Sequence, residues 1–212
     1  MTACGQANAA ACGVRLVAWI ALVLPASFSG AAWATPADPT GHASSVRITE
    51  AITRYTLEAT SIDGLRSQLH HGMHLPRGRA GTHARTRSDI AIAYEVDGSA
   101  AGCRLRDLEV RLDIVVTLPE WAPEATVPDW QYARWKQTLA ALERHEATHR
   151  ANARAAAEEV RVRILAIGPQ PDCSSARSMA NRVLRKTMLK YEMRDRRYDA
   201  RTRNGTAEGV DL

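Results

Sequence analysis

Beyond residue 34 the chain has no apolar run near the roughly 18 residues that a membrane-spanning helix needs. A bilayer span later in the chain is therefore excluded. Aromatic residues make up only 5 % of the sequence, and no recognisable nucleic-acid module accompanies the arginine-rich run "RVLRKTMLKYEMRDRRYDARTR". That run reads as a solvated helix face, and a nucleic-acid partner is not expected. Cysteine is scarce, with Cys4, Cys12, Cys103 and Cys173 as the whole complement. Internal repeats are absent, which leaves a single globular domain as the simplest organisation of 212 residues. The net charge of +5 comes almost entirely from an excess of arginine.

The first 34 residues have a different character. Arg15 precedes "LVAWIALVLPASFSGAAWA", an apolar stretch broken by Pro25 and Ser27-Phe28-Ser29-Gly30 and closed by Ala32-Trp33-Ala34. A basic residue, a short apolar region and an A-x-A end form a secretory signal, with cleavage expected before Thr35. A retained membrane anchor is the alternative, and the proline and the Ser/Gly run weaken it. Cleavage would place the mature chain in the periplasm or outside the cell. It would also remove Cys4 and Cys12, leaving Cys103 and Cys173 to form one disulfide in an oxidising compartment.

Residues 35–45, "TPADPTGHASS", read as a flexible leader, followed by a domain over 46–209. "VRITEAITRYTLEA" has the β-branched content of a strand, and Ser61 is placed to cap a short helix in "SIDGLRSQLHHG". Ile90, Ile92, Tyr94 and Val96 alternate with polar or small neighbours. After the turn "DGSAAG", Leu108 to Leu118 repeat the pattern, ending at Pro119. This predicts an antiparallel hairpin with one buried face. From Pro128 to Ile167 the period becomes helical and stops at Gly168-Pro169, and Ser174 or Ser175 is placed to cap a second helix to about Arg197. Strands followed by helices give an α+β domain, with an antiparallel sheet packed by both helices.

The long helix contains His145-Glu146-x-x-His149. At about 100° per residue, Trp135, Leu142, Ala153, Val160 and Ile164 form one apolar stripe, and His145, Glu146 and His149 fall on it or at its edge. A buried carboxylate between two histidines costs several kcal/mol unless compensated, and a divalent cation compensates all three groups. A metal-free His–Glu–His hydrogen-bond cluster is the competing reading. In the metal reading His145 and His149 hold zinc through imidazole nitrogens, and Glu146 is the general base that takes a proton from the attacking water. The third ligand is sought on the second helix, where Glu192, Asp195 and Asp199 share a face and periodicity alone favours Asp195. Histidines in "QLHHGMH" and His83 are further candidates, and a salt bridge with neighbouring arginines is the alternative for Asp195.

Several pieces taken together carry a resemblance. "RYTLEATSIDGLRSQL", "RGRAGTH", Cys103, "TLPEW", "WKQTLAALERHEATH", Cys173 and "YDARTRNG" occur in this order over roughly residues 46–209. Their order resembles domain-of-unknown-function family 922, bacterial proteins described as secreted zinc-dependent proteases with an HExxH motif. The resemblance implies a zincin-like metallopeptidase domain with His145, Glu146 and His149 in the zincin roles. The expected reaction on this reading is hydrolysis of a peptide or protein of the cell envelope. The terminal motif is similar to Y-D-x-x-T-x-H-G, which favours Asp199 as the third ligand. Asn204 stands where the pattern has histidine. That departure supports a second expectation, a non-catalytic envelope protein that uses a degenerate zincin fold for binding or assembly. Tyr198 in the same motif is a candidate oxyanion donor, beside the ordinary reading of a buried tyrosine.

Overall fold

Alternation and helical periodicity each produce the expected kind of element in the computed structural model, which describes residues 44–71, 83–122 and 127–212. The signal segment and residues 35–43 of the leader lie outside the described residues. Ser44 and Ser45, read as the end of the leader, instead open the first strand, β1 (Ser44–Leu57). A short helix, α1 (Ile62–His71), follows, and Ser61 Oγ accepts from the Gly64 N–H at 3.2 Å as a cap. Strands β2 (Arg85–Ser99) and β3 (Gly102–Trp121) form the antiparallel hairpin. Pro119 does not end β3, which continues to Trp121 in register with β1.

The sheet order is β1-β3-β2, and β1 runs parallel to β3. The sheet is therefore mixed, which corrects the expectation of an antiparallel one. Alternation encodes which face of a strand is buried but not which neighbour it pairs with. A parallel neighbour needs a long connection, and the chain between Leu57 and Gly102, which includes α1 and β2, provides it.

Leu108, Val110, Leu112, Ile114, Val116 and Leu118 of β3 all point to the buried face. They meet Ala141, Leu142, Ala153, Ala157, Val160 and Ile164 of the long helix α2 (Asp129–Leu165) in one core. His145 and Glu146 are buried on the same helix, at 4 % and 3 % exposure. The second long helix, α3 (Cys173–Thr202), packs beside α2. Its cap is Asp172, whose Oδ1 accepts from the Ser175 N–H at 2.7 Å, and neither Ser174 nor Ser175 fills that position. At the other end α3 continues past Arg197 to Thr202 and closes in the left-handed region at Arg203.

Cys103 and Cys173 form a disulfide between the start of β3 and the start of α3. Next to it, Cys103 and Gln170 exchange two backbone hydrogen bonds of 2.8 and 2.9 Å. The described residues all belong to one unit, residues 38–212, and none of their helices is long and apolar enough to cross a membrane.

Candidate metal centre

His145 and His149 lie one turn apart on α2 and face α3, where Asp199 lies in the last turn. Three donor atoms converge there. The two Nε2 atoms are 3.3 Å apart, and Asp199 Oδ1 lies 3.2 Å from His145 Nε2 and 2.9 Å from His149 Nε2. His145, His149 and Asp199 are thus arranged as a triad able to hold a metal ion.

The opposite nitrogen of each ring is also fixed by a carboxylate. His145 Nδ1 lies 2.9 Å from Glu208 Oε2, and His149 Nδ1 lies 3.1 Å from Asp195 Oδ1. In a neutral imidazole, a proton donated from Nδ1 leaves the Nε2 lone pair free for a cation. Both rings are therefore held in the orientation that a metal ligand needs, with Nε2 turned toward Asp199. Asp195 is in turn held by Asn152, whose Nδ2 donates to the same Oδ1 at 2.5 Å. Tyr198 stacks on the His145 ring at 4.8 Å between centroids, and its hydroxyl donates to both Glu208 oxygens at 2.8 and 2.9 Å. That hydroxyl is committed to Glu208, so the arrangement favours the buried, supporting tyrosine over the oxyanion donor.

Glu146 faces the sheet. Its Oε2 accepts from Thr86 Oγ1 of β2 at 2.6 Å. Burial raises the Glu146 pKa above the ordinary carboxylate value, and the Thr86 hydrogen bond only partly opposes it. A carboxylate shifted in that direction is a better proton acceptor near neutral pH than an exposed one.

The charges in the cluster call for a cation. Glu146, Asp195, Asp199 and Glu208 surround two imidazoles. With no cation bound, protons take its place. Burial works against a charge on His149, but the hydrogen bonds with Asp195 and Asp199 outweigh it and lift its pKa to about 10. His145 moves up for the same reason, through Asp199 and Glu208. Asp199 resists its own burial and is held well below the usual carboxylate range by the two rings. The Asp199 side chain is 37 % exposed, so the centre is open to solvent on the α3 side.

The chain leaves α3 through a turn that brings Glu208 to His145. Arg203, Asn204 and Gly205 all have positive φ. A Cβ on Gly205 would lie 2.7 Å from Val210 Cγ2 and 3.4 Å from His145 Cγ, so only glycine lets this backbone pass against the ring. Asn204 is exposed, and its N–H donates to the Asp199 carbonyl at 2.9 Å. It ends the helix in a conformation that asparagine tolerates and is not part of the cluster.

Residues 52–206 match the family described as a bacterial protein of unknown function (DUF922). The chain belongs to this family. No curated protein and no solved structure matches the chain. The DUF922 description assigns no activity.

Of the residues singled out in the sequence, His145, His149 and Asp199 are brought together, with Glu146 beside them on α2. Asp195, the choice of periodicity, is one shell further out. Glu192 is turned to solvent, where it pairs with Arg196. His83 lies apart from the triad, lining a small pocket near Leu212, and the side chains of His70, His71 and His74 are outside the described residues. Glu208 and Thr86 were not anticipated. Glu208 has no periodic segment around it, and the one available signal was Gly205 in "YDARTRNG". Thr86 sits at the start of a strand where alternation marks only its face.

Proposed function

We propose that this DUF922 protein is an exported zinc-dependent peptidase acting on peptides or proteins of the cell envelope. The observation that carries the proposal is the triangle of His145 Nε2, His149 Nε2 and Asp199 Oδ1, with edges of 2.9 to 3.3 Å. Donors about 2.0–2.1 Å from a tetrahedral zinc ion lie roughly 3.3 Å from one another, so these three atoms already stand near that spacing. Two imidazoles and one carboxylate suit zinc better than magnesium or calcium, which prefer all-oxygen sites. Three protein donors also leave a fourth position for water or substrate. The Cys103–Cys173 disulfide agrees with an oxidising compartment.

When bound, zinc would polarise the substrate carbonyl and acidify the attacking water. The residues of the chain supply the rest. Glu146, buried and raised in pKa, accepts a proton from that water and delivers it to the departing amine nitrogen, which leaves as a neutral amine. Thr86 keeps the Glu146 carboxylate in one orientation. Glu208 and Asp195 keep the two rings facing the cation.

A non-catalytic binding role is the second reading, and it rests on Asn204 standing where the family pattern has histidine. With Asp199 proposed as the third donor, Asn204 is not a lost ligand, and we favour the peptidase. The deciding experiment measures zinc content and hydrolysis of a denatured protein substrate. Glu146→Gln is expected to retain about one zinc per chain and lose at least a thousandfold in hydrolysis, in line with general-base chemistry combined with a charge change. His145→Ala is expected to lose the metal. A wild type that holds zinc and cleaves nothing would favour the binding role, and a wild type with no affinity for zinc would end both readings.

A further inference from the structure

The outward side of α3 differs from the side that faces the metal centre. Counting about 100° per residue, Leu189 and Met193 lie roughly 120° to 160° around the helix from Asp195. Both are exposed, at 56 % and 44 %. Arg182, Lys186, Arg194 and Arg197 surround them and are exposed as well. Beside this strip a groove of about 410 Å³ runs between α2 and α3, with Lys190, Arg194, Arg197 and Arg201 along it. Acidic groups do little to neutralise the strip, because Asp195 and Asp199 point into the metal centre and Glu192 is taken by Arg196. Lys190 is paired with Glu159 of α2.

Exposed cations in an open groove hold a single mobile anion weakly, since each is well solvated and screened. They add up when the partner is an extended surface of fixed negative charge. The two exposed apolar side chains at i and i+4 distinguish between such surfaces. An acidic polysaccharide has nothing to bury them, whereas the boundary between headgroups and acyl chains takes up both parts of a basic, amphipathic helix face. We propose that the outward side of α3 docks on an anionic phospholipid surface, with the phosphates meeting Lys186, Arg194, Arg197 and the groove, and Leu189 and Met193 entering the interface. Asp195 and Asp199 point away from Leu189 and Met193 into the metal centre, and the inner wall of the groove, Asn152 and Tyr198, adjoins that centre. The proposal does not depend on the peptidase reading.

The test uses the full chain with vesicles of phosphatidylcholine, with or without phosphatidylglycerol, and two readouts. One is the fraction pelleted with the vesicles. The other is the rate at which peroxide oxidises Met193, followed by mass spectrometry; it reports on α3 itself, and the neutral vesicles control for any contribution from residues 16–34. Phosphatidylglycerol vesicles are expected to slow Met193 oxidation at least fivefold, phosphatidylcholine vesicles to leave it unchanged, and added salt to reverse the protection. Arg194→Gln with Arg197→Gln, and separately Leu189→Ser, are each expected to weaken the protection at least threefold while keeping the wild-type melting profile. Protection that is equal on neutral vesicles, or insensitive to both variants, overturns the proposal. So does protection by inorganic phosphate or a soluble acidic polysaccharide that matches the vesicles and ignores Leu189→Ser, since that result identifies the groove as a site for soluble anions.

Discussion

Glu208 and Asp195 contribute no atom to the triad that would hold the proposed metal ion, yet they decide whether two imidazoles behave as ligands or as bases. Each accepts from an Nδ1 and thereby fixes which nitrogen faces the cation. Removing one of these carboxylate charges is expected to weaken zinc binding about 10- to 100-fold. Glu208→Gln should show this in competition with a chromophoric chelator, while Asn204→Gly, which removes an exposed side chain outside the cluster and keeps the positive φ of 53°, should change the affinity less than about twofold on the same assay. A large loss in Asn204→Gly would contradict the ligand set. The pH dependence follows from the same contacts. The folded protein holds the His149 proton more tightly than the unfolded chain does, its pKa rising from 6.5 to about 10. In metal-free protein this stabilisation is complete below about pH 6.5 and is lost as pH climbs toward 10. Asp199 is shifted the other way, so its share is present above 3.8 and disappears in acid. Zinc requires the ring without its proton, so its apparent affinity rises over the span in which the metal-free protein weakens. Thermal melts at about pH 6 and about pH 9 are expected to fall with pH without zinc and to show a larger zinc-induced rise at the higher pH. An equal zinc-induced rise at both would show that the ring carries no proton to displace.

The helices were legible in the sequence because period and stop signals agreed, and so was the placement of His145, Glu146 and His149 on or at the edge of the buried side of α2, where His145 and Glu146 are buried and His149 is half-buried. On α3 the same reasoning placed Asp195 nearest the middle of the inward side, and it does face the centre, reaching the outer nitrogen of His149. One turn on, Asp199 reaches the inner nitrogens of both rings. Periodicity ranks faces of a helix, and the distinction between these two carboxylates is along its axis. Nor could it find Glu208, which is delivered by three successive residues of positive φ and not by a repeat. The parallel pairing of β1 with β3 was equally hidden, since alternation is the same for either neighbour. The left-handed exit gives the element-scale prediction. Gly205→Ala requires an unfavourable φ of 87° and a displacement of Val210 or the His145 ring. It is expected to cost about 1–3 kcal/mol of stability and to weaken zinc binding through Glu208. Urea unfolding and zinc titration of the same variant measure the two effects, and a loss of stability without any loss of affinity would detach this turn from the centre.

At the scale of the molecule, α3 is tied at both ends by different means. Its start is bonded to β3 through Cys103–Cys173, and its end is held by the cluster around Asp199. Twenty-six residues separate Cys173 from Asp199, roughly 39 Å along the axis. The helix is also packed against α2 between these two ends. The disulfide closes a loop with a sequence separation of 70, which by chain entropy stabilises the fold by about 4 kcal/mol. Zinc instead stabilises by mass action on the folded state, without reference to the loop. The two contributions act on separate ends of one packed helix and should be close to additive. Cys103→Ser with Cys173→Ser is therefore expected to lower the melting temperature by roughly 8–16 °C. Zinc affinity, measured at a temperature where both proteins are folded, should be unchanged within about twofold. A paired loss of affinity would mean that α2 packing alone does not hold the Asp199 end of α3 in place, and that the metal centre depends on the covalent tie at the far end of the helix.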